Sequence, residues 1–180
     1  MEKAGMLTIA YRSADTPLGT VWLGATPKGI FHLSVTGVDV GALEGLFAGR
    51  RDIGFRQGGA LVDKAARELA RYFDGRERKF SVPVDLTGWS PFARRVWRAA
   101  ARIPFGQTRS YAWVAERVGG ANFARAVGGA LGANPLPIVI PCHRVVGADG
   151  ALGGYTGGLW VKRWLLEFES GSQRLPLVEG

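Results

Sequence analysis

Asn134-Pro135-Leu136-Pro137-Ile138-Val139-Ile140-Pro141-Cys142-His143-Arg144-Val145-Val146 is the stretch on which the reading of this chain turns. Its first four residues, two of them proline, cannot continue a helix, and Ile138-Val139-Ile140 reads as a short buried strand running into Pro141-Cys142-His143-Arg144. A polar cluster thus stands at the end of an apolar run. A cysteine so placed is more often a small core residue than a nucleophile, but its neighbours shift the balance. His143 offers a base that titrates near neutrality, and Arg144 a positive field that favours a thiolate. Adjacent strand residues point to opposite faces, so contact between Cys142 and His143 requires a turn or a bridging water, unlike a protease dyad.

Immediately upstream, Asn122 is expected to cap a helix in which Phe123, Val127, Ala130 and Leu131 face inward. Arg125, Gly128, Gly129 and Gly132 fall at i, i+3, i+4 and i+7 and share the other face. Each interior glycine costs about 1 kcal/mol relative to alanine, so something must approach this backbone closely: another packed element, or a ligand. An arginine at the edge of a side-chain-free surface favours a nucleic-acid groove. The preceding helix starts at Ser110, carries Tyr111, Val114, Ala115 and Val118 on one stripe, and ends at Gly119-Gly120. The pair has the pattern of a helix-turn-helix, which packed helical hairpins share. Before it, Ser90-Pro91 opens a helix with Phe92, Val96, Trp97, Ala100 and Ile103 on its apolar face, closed by Pro104; Arg94, Arg95, Arg98 and Arg102 read as its solvated side.

The first third is rich in β-formers. Leu7 to Arg12, Thr20 to Ala25 and Ile30 to Val35 predict a small antiparallel sheet, and Leu61, Ala65, Ala66, Leu69, Tyr72 and Phe73 predict a helix covering it, stopped at Asp74-Gly75. His32, in the third strand, is assigned no chemistry. The polar segment from Arg76 to Gly88 is the expected boundary.

Composition narrows the function. The 180 residues are 47% hydrophobic and 21% charged, with formal charge +8, which excludes a disordered chain and favours polyanionic partners. Residues 1–89 hold 12 Lys and Arg against 10 Asp and Glu; residues 90–180 hold 11 against 5, and ten of those eleven are arginine. The single cysteine, Cys142, forbids an internal disulfide, and with only His32 and His143 beside it no zinc site of the usual Cys/His kind can be assembled. No apolar run reaches the roughly 18 residues of a spanning helix, and Met1 to Ala10 lacks the layout of a signal peptide, so a cytoplasmic or, in a eukaryote, nuclear location is expected.

Pro141-Cys142-His143-Arg144-Val145 resembles the active-site signature of the O6-alkylguanine-DNA alkyltransferases, repair proteins that move an alkyl group from guanine onto their own cysteine. The similarity extends through Val96-Trp97, Ile103-Pro104-Phe105-Gly106, Ser110-Tyr111, Arg125-Ala126-Val127-Gly128, Asn134-Pro135, Gly153 to Gly158, and Lys162 with Leu165-Leu166 and Glu169. It covers about residues 90 to 170, and more loosely Pro17-Leu18-Gly19 and Tyr72-Phe73-Asp74-Gly75. Two departures are Ala93, where many members carry glutamine, and Thr156, where some carry serine.

The resemblance implies an α+β chain: an RNase H-like supporting domain and linker over residues 1–88, an alkyltransferase domain with a winged helix-turn-helix over 89–172, and a tail over 173–180. It implies one-time transfer of an alkyl group from O6-alkylguanine, or O4-alkylthymine, in duplex DNA to Cys142. His143 would take the thiol proton through water, Glu169 would hold the far side of His143, and Asn134 would hydrogen-bond within the cysteine-bearing turn. Tyr111 would crowd the target phosphate and donate a proton to the departing guanine. Arg125 would fill the gap left by the rotated nucleotide, with Gly128, Gly129 and Gly132 lying in the minor groove. Carbonyls near Cys142 and Val145 would read the guanine amine, and Tyr155, Thr156 and Trp97 complete the expected pocket. No metal, cofactor or membrane contact is implied; a monomer, cooperative or not on DNA, is expected. The rivals are an alkyltransferase-like protein that binds lesions without transfer, against which Cys142 stands, and a Cys-His-Glu hydrolase.

Overall fold

A computed structural model describes residues 5–35, 40–155 and 157–171. The chain divides into two units, Met1–Trp89 with Pro135–Val139, and Ser90–Asn134 with Ile140–Gly180.

In the first unit, β1 (Leu7–Thr16), β2 (Gly19–Thr26) and β3 (Gly29–Ser34) form the expected antiparallel meander. Thr16 closes the first turn, its hydroxyl donating to the Gly19 carbonyl and accepting from the Leu18 amide. After α1 (Val40–Gly45), β4 (Ile53–Gln57) adds to the far side of β1, giving the order β3-β2-β1-β4. This strand pairs parallel to β1, Leu7 opposite Ile53, so the sheet is mixed and one strand wider than its sequence suggests. Parallel pairing needs a long crossover, and no turn motif beside Ile53 announces it. Helix α2 (Ala60–Phe73) lays Val62, Ala65, Leu69 and Tyr72 on one buried face, and Ile9, Val21, Leu23, Ala25, Ile30 and Leu33 are the buried apolar residues of the sheet. Alternation in the strands and 3.6-residue periodicity in the helix account for this core.

Residues 135–139 belong to this unit: the Leu33 amide donates to the Pro135 carbonyl at 2.9 Å. The buried strand expected over 138–140 does not form. Ile138 takes φ +73°, a left-handed conformation that breaks an extended run and is uncommon for a β-branched residue.

The second unit is mostly helical. Helix α3 (Pro91–Ala101) starts as expected, with Ser90 accepting from the Ala93 amide at 3.1 Å and proline at the first turn. A two-residue strand β5 (Arg109–Ser110) leads into α4 (Tyr111–Val118), where Ser110 accepts from Trp113 at 3.1 Å. Asn122 caps nothing: residues Ala121–Phe123 form a 3-10 turn, and α5 (Ala124–Gly132) follows without a side-chain cap. Phe123 does not face inward either. It is 42% exposed, its ring lies against Gly119 and its centroid is 5.8 Å from that of Phe92. Helices α3, α4 and α5 pack on one another. Strand β6 (Val145–Val146) pairs parallel with β5, and α6 (Leu159–Ser170) closes the unit with a left-handed Gly171 at its end.

Candidate active site around Cys142

Cys142 opens a second 3-10 turn, Cys142–Arg144. The opposition of neighbouring strand residues therefore does not apply here. The thiol is 4% exposed and accepts a hydrogen bond from Asn134 Nδ2 at 2.8 Å; the same amide reaches the Ile140 carbonyl at 2.9 Å. Burial pushes the thiol up to about 11, against the lowering effects of the Asn134 bond and the Lys162 charge. At neutral pH it is a thiol and needs a base.

That base is adjacent in sequence and held by α6. His143 is buried, with Nε2 2.7 Å from Glu169 Oε1, while Nδ1 has no hydrogen-bond partner among the described residues. Burial lowers His143 below its ordinary value, with Glu169 pulling the other way, so the imidazole rests neutral. Burial alone would raise Glu169, but hydrogen bonds and charge from His143 and Arg144 hold it at about 2. A charged Glu169 can only accept, so Nε2 carries the hydrogen and Nδ1 the free lone pair.

Arg144 does not direct its charge at the thiol, as its place in the sequence suggests. Its Nε and Nη2 donate to the two oxygens of Glu169, each at 2.8 Å, and Nη1 donates to the Ile103 carbonyl at 2.7 Å. The cation that bears on Cys142 is Lys162 of α6, whose buried Nζ donates to the carbonyls of Val145, at 2.7 Å, and Leu152. It also lies 5.8 Å from the Tyr111 ring centroid. The roles of Arg144 and Lys162 were not legible in isolation. Their signal is that Lys162 and Glu169, seven apart, fall on the buried stripe of Val161 and Leu165, where unpaired charges are not tolerated.

The thiol lies in the wall of an open cleft of about 590 Å³, shared with Tyr111, Gly128, Gly132, Gly154 and Tyr155. Burial raises both phenols above their ordinary value, Tyr155 far above, so both are neutral donors. The Tyr111 hydroxyl abuts Gly153, where φ is +68° and a Cβ would collide with it; glycine is required there. Gly128 and Gly132 of α5 border the cleft while Gly129 and Arg125 are exposed. A Cβ at Gly128, Gly129 or Gly132 would meet nothing within 4 Å, so internal packing does not explain them. Arg125 pairs with no carboxylate among the described residues.

Two expected pocket residues stand apart from this group. Trp97 is a core residue, 1% exposed, whose indole donates to the Ala130 carbonyl at 2.9 Å and so ties α3 to α5. The Val145 side chain is fully buried, leaving only its carbonyl available to the site. Thr156 lies outside the described residues, as does the tail over 173–180. No described helix is long and apolar enough to cross a membrane.

Comparison with known proteins bears on both units. Residues 9–86 match the ribonuclease-like domain, and residues 91–171 the DNA binding domain, of 6-O-methylguanine DNA methyltransferase. The chain is 41% identical over 161 residues to a methylated-DNA--protein-cysteine methyltransferase of Mycolicibacterium paratuberculosis, spanning 89% of this chain and 92% of the relative. It is 35% identical to one from Methanosarcina barkeri, covering 91% and 99%. Among solved structures, Mycobacterium tuberculosis OGT in complex with DNA superposes with a TM-score of 0.77 at 37% identity, over 92% of this chain and 96% of that one. With two domain matches in order and identity sustained across both units, this chain belongs to the 6-O-methylguanine DNA methyltransferase family.

Proposed function

We propose that this protein reverses O6-alkylation of guanine in DNA by moving the alkyl group onto Cys142, once per molecule. The observation that carries the reading is a thiol in a cleft wall, hydrogen-bonded by Asn134, next to a buried His143–Glu169 pair with a free imidazole nitrogen. The thiol proton passes through water to His143 Nδ1. The thiolate then attacks the sp3 carbon in line; the new S–C bond forms as the C–O6 bond breaks, and its electron pair leaves with guanine. The Tyr111 hydroxyl donates a proton to that base, so that no anionic purine departs. The product thioether has no good leaving group, which ends the protein's activity.

To reach the cleft the nucleotide must leave the duplex, at a cost of a few kcal/mol. Arg125 occupies the vacated stack, and α4 with α5 serves as the helix-turn-helix, its glycines Gly128, Gly129 and Gly132 admitting the minor-groove backbone. The Val145 carbonyl retains a lone pair beside its bond from Lys162 and can read the guanine amine. Tyr155 borders the alkyl group. The chain acts as a monomer on double-stranded DNA in the cytoplasm or nucleus, without metal or cofactor.

The test is a duplex containing one O6-methylguanine, followed by mass spectrometry of the Cys142 peptide. One methyl per molecule is expected, and none in Cys142→Ser. Lesion binding without a mass gain establishes the rival, a protein that marks lesions without repairing them.

A further inference from the structure

Three groups of opposite and neutral character share one buried site beside Cys142. Glu169 Oε1 takes both His143 Nε2, at 2.7 Å, and Arg144 Nη2, at 2.8 Å, while Oε2 takes Arg144 Nε at 2.8 Å. The third nitrogen of the guanidinium is fixed on the Ile103 carbonyl at 2.7 Å, just beyond α3, and its carbon lies 5.7 Å from the Phe105 ring centroid. Arg144 is thereby held at every nitrogen, and its fork leaves one oxygen of Glu169 to orient the imidazole.

We infer that Arg144 is a positioning residue for alkyl transfer: by chelating Glu169 it selects the His143 tautomer with Nδ1 free and balances the charge of the buried trio. This inference rests on the proposed transfer to Cys142. Its first part follows from donor counting. A protonated Glu169 could donate to Nε2, which would place the imidazole hydrogen on Nδ1 and leave no acceptor for the thiol proton. Two guanidinium hydrogen bonds disfavour that protonated carboxyl.

The second part follows from charge. With a neutral imidazole the trio of Arg144, Glu169 and His143 carries no net charge, so His143 has no surplus anion drawing a proton onto it at rest. When the thiol proton moves from Sγ to Nδ1 the trio becomes singly positive, matching the thiolate left behind. Without Arg144 the resting pair would be negative, would take up a solvent proton, and would then hold no place for the one from Cys142. The other charge bearing on His143 is Lys162 of α6, which acts in the same direction as Arg144.

The direct measurement is the protonation of His143 by nitrogen-15 NMR in Cys142→Ser protein, which requires neither DNA nor transfer and so stands whether or not the proposed activity does. His32, the only other histidine, is removed as His32→Gln to leave one signal. Replacing Arg144 with Met is expected to raise the midpoint of proton uptake by about one pH unit, a tenfold change. Arg144→Lys, which keeps the charge, is expected to stay near the parent. If the Met variant does not fold, Arg144→Gln, uncharged but still a donor to one oxygen, carries the same expectation. In protein with Cys142 intact, Arg144→Met is expected to slow transfer more the lower the pH, approaching about tenfold only well below the parent midpoint, and by under about twofold near pH 8.5. A midpoint unmoved in folded Arg144→Met or Arg144→Gln overturns the inference. So does a rate lowered equally at all pH values, which is what a purely structural role would give. An equal midpoint change when Arg144→Met is added to Glu169→Gln also overturns it, because Arg144 would then not act through Glu169.

Discussion

The Asn134 amide donates to the Cys142 thiol at 2.8 Å from a position two residues beyond α5, so the helix that carries the glycine strip and the nucleophile are joined by one side chain. The same amide holds the Ile140 carbonyl, and loss of the side chain would leave both acceptors buried without it.

Asn134→Ala is therefore expected to raise the thiol midpoint above its value of about 11 and to slow alkyl transfer, about tenfold for each pH unit by which the midpoint rises. Stability should fall by about 1–3 kcal/mol, the cost of leaving buried acceptors unsatisfied. As Cys142 is the only cysteine of the chain, its reaction rate with iodoacetamide against pH reads the midpoint directly. An unchanged profile refutes the role of the amide.

Acid should destabilise the folded protein in two steps. His143 lies below its ordinary value of 6.5, so the folded state resists a proton that the unfolded state accepts, and stability declines as pH falls below 6.5. Glu169 is held at about 2 against an ordinary 4.5, so its contribution, on the order of 3 kcal/mol, is present above 4.5 and lost as pH falls toward 2. Urea denaturation of wild type and Glu169→Gln at about pH 7 and pH 3 checks this. The variant should lose much less stability between them, and equal losses would exclude Glu169 as the source.

Alanine at Gly128, Gly129 or Gly132 should oppose stability to function. Each sits in α5 with open space where a Cβ would go, so each replacement should stabilise the helix by up to about 1 kcal/mol. Duplex binding should weaken, since the added methyl occupies the approach to the backbone. Thermal melts and a DNA titration read the two effects; a stabilised triple variant that binds DNA as tightly as wild type would remove these glycines from the interface.

Arg125→Ala should discriminate between substrates. Transfer from O6-alkylguanine in duplex DNA should fall at least tenfold, the loss of about 1.4 kcal/mol of contact to a vacated stack, while transfer from the free alkylated base should be unchanged. Single-turnover rates on both substrates decide it, and equal losses count against a plug.

Much of the helical frame was legible because it rests on local rules. Ser90 and Ser110 cap the helices they precede, and α2 faces its core at the expected Ala65, Ala66, Leu69 and Tyr72, with Val62 buried in place of the expected Leu61 and Phe73 only half-buried. Local rules failed where a distant partner intervened. Asn122 is a good cap by type, yet a 3-10 turn occupies its place, and Phe123 covers Gly119 and Phe92 instead of entering the core. Ile138-Val139-Ile140 is apolar enough for a strand, but the positive φ of Ile138 makes it a turn.

By itself the sequence determined the reagent and its neighbours: one cysteine, followed by a base, on a chain whose net positive charge is concentrated in the same half. Residue type, count and short-range spacing suffice for that. Only the tertiary structure decided how the charges are shared. Arg144 turns to Glu169, 25 positions away, and Lys162 supplies the positive charge beside the thiol. A buried ion is stable only against its partner, and which partner it meets is set by how α6 packs against the cysteine-bearing turn, not by who stands next to it in the chain.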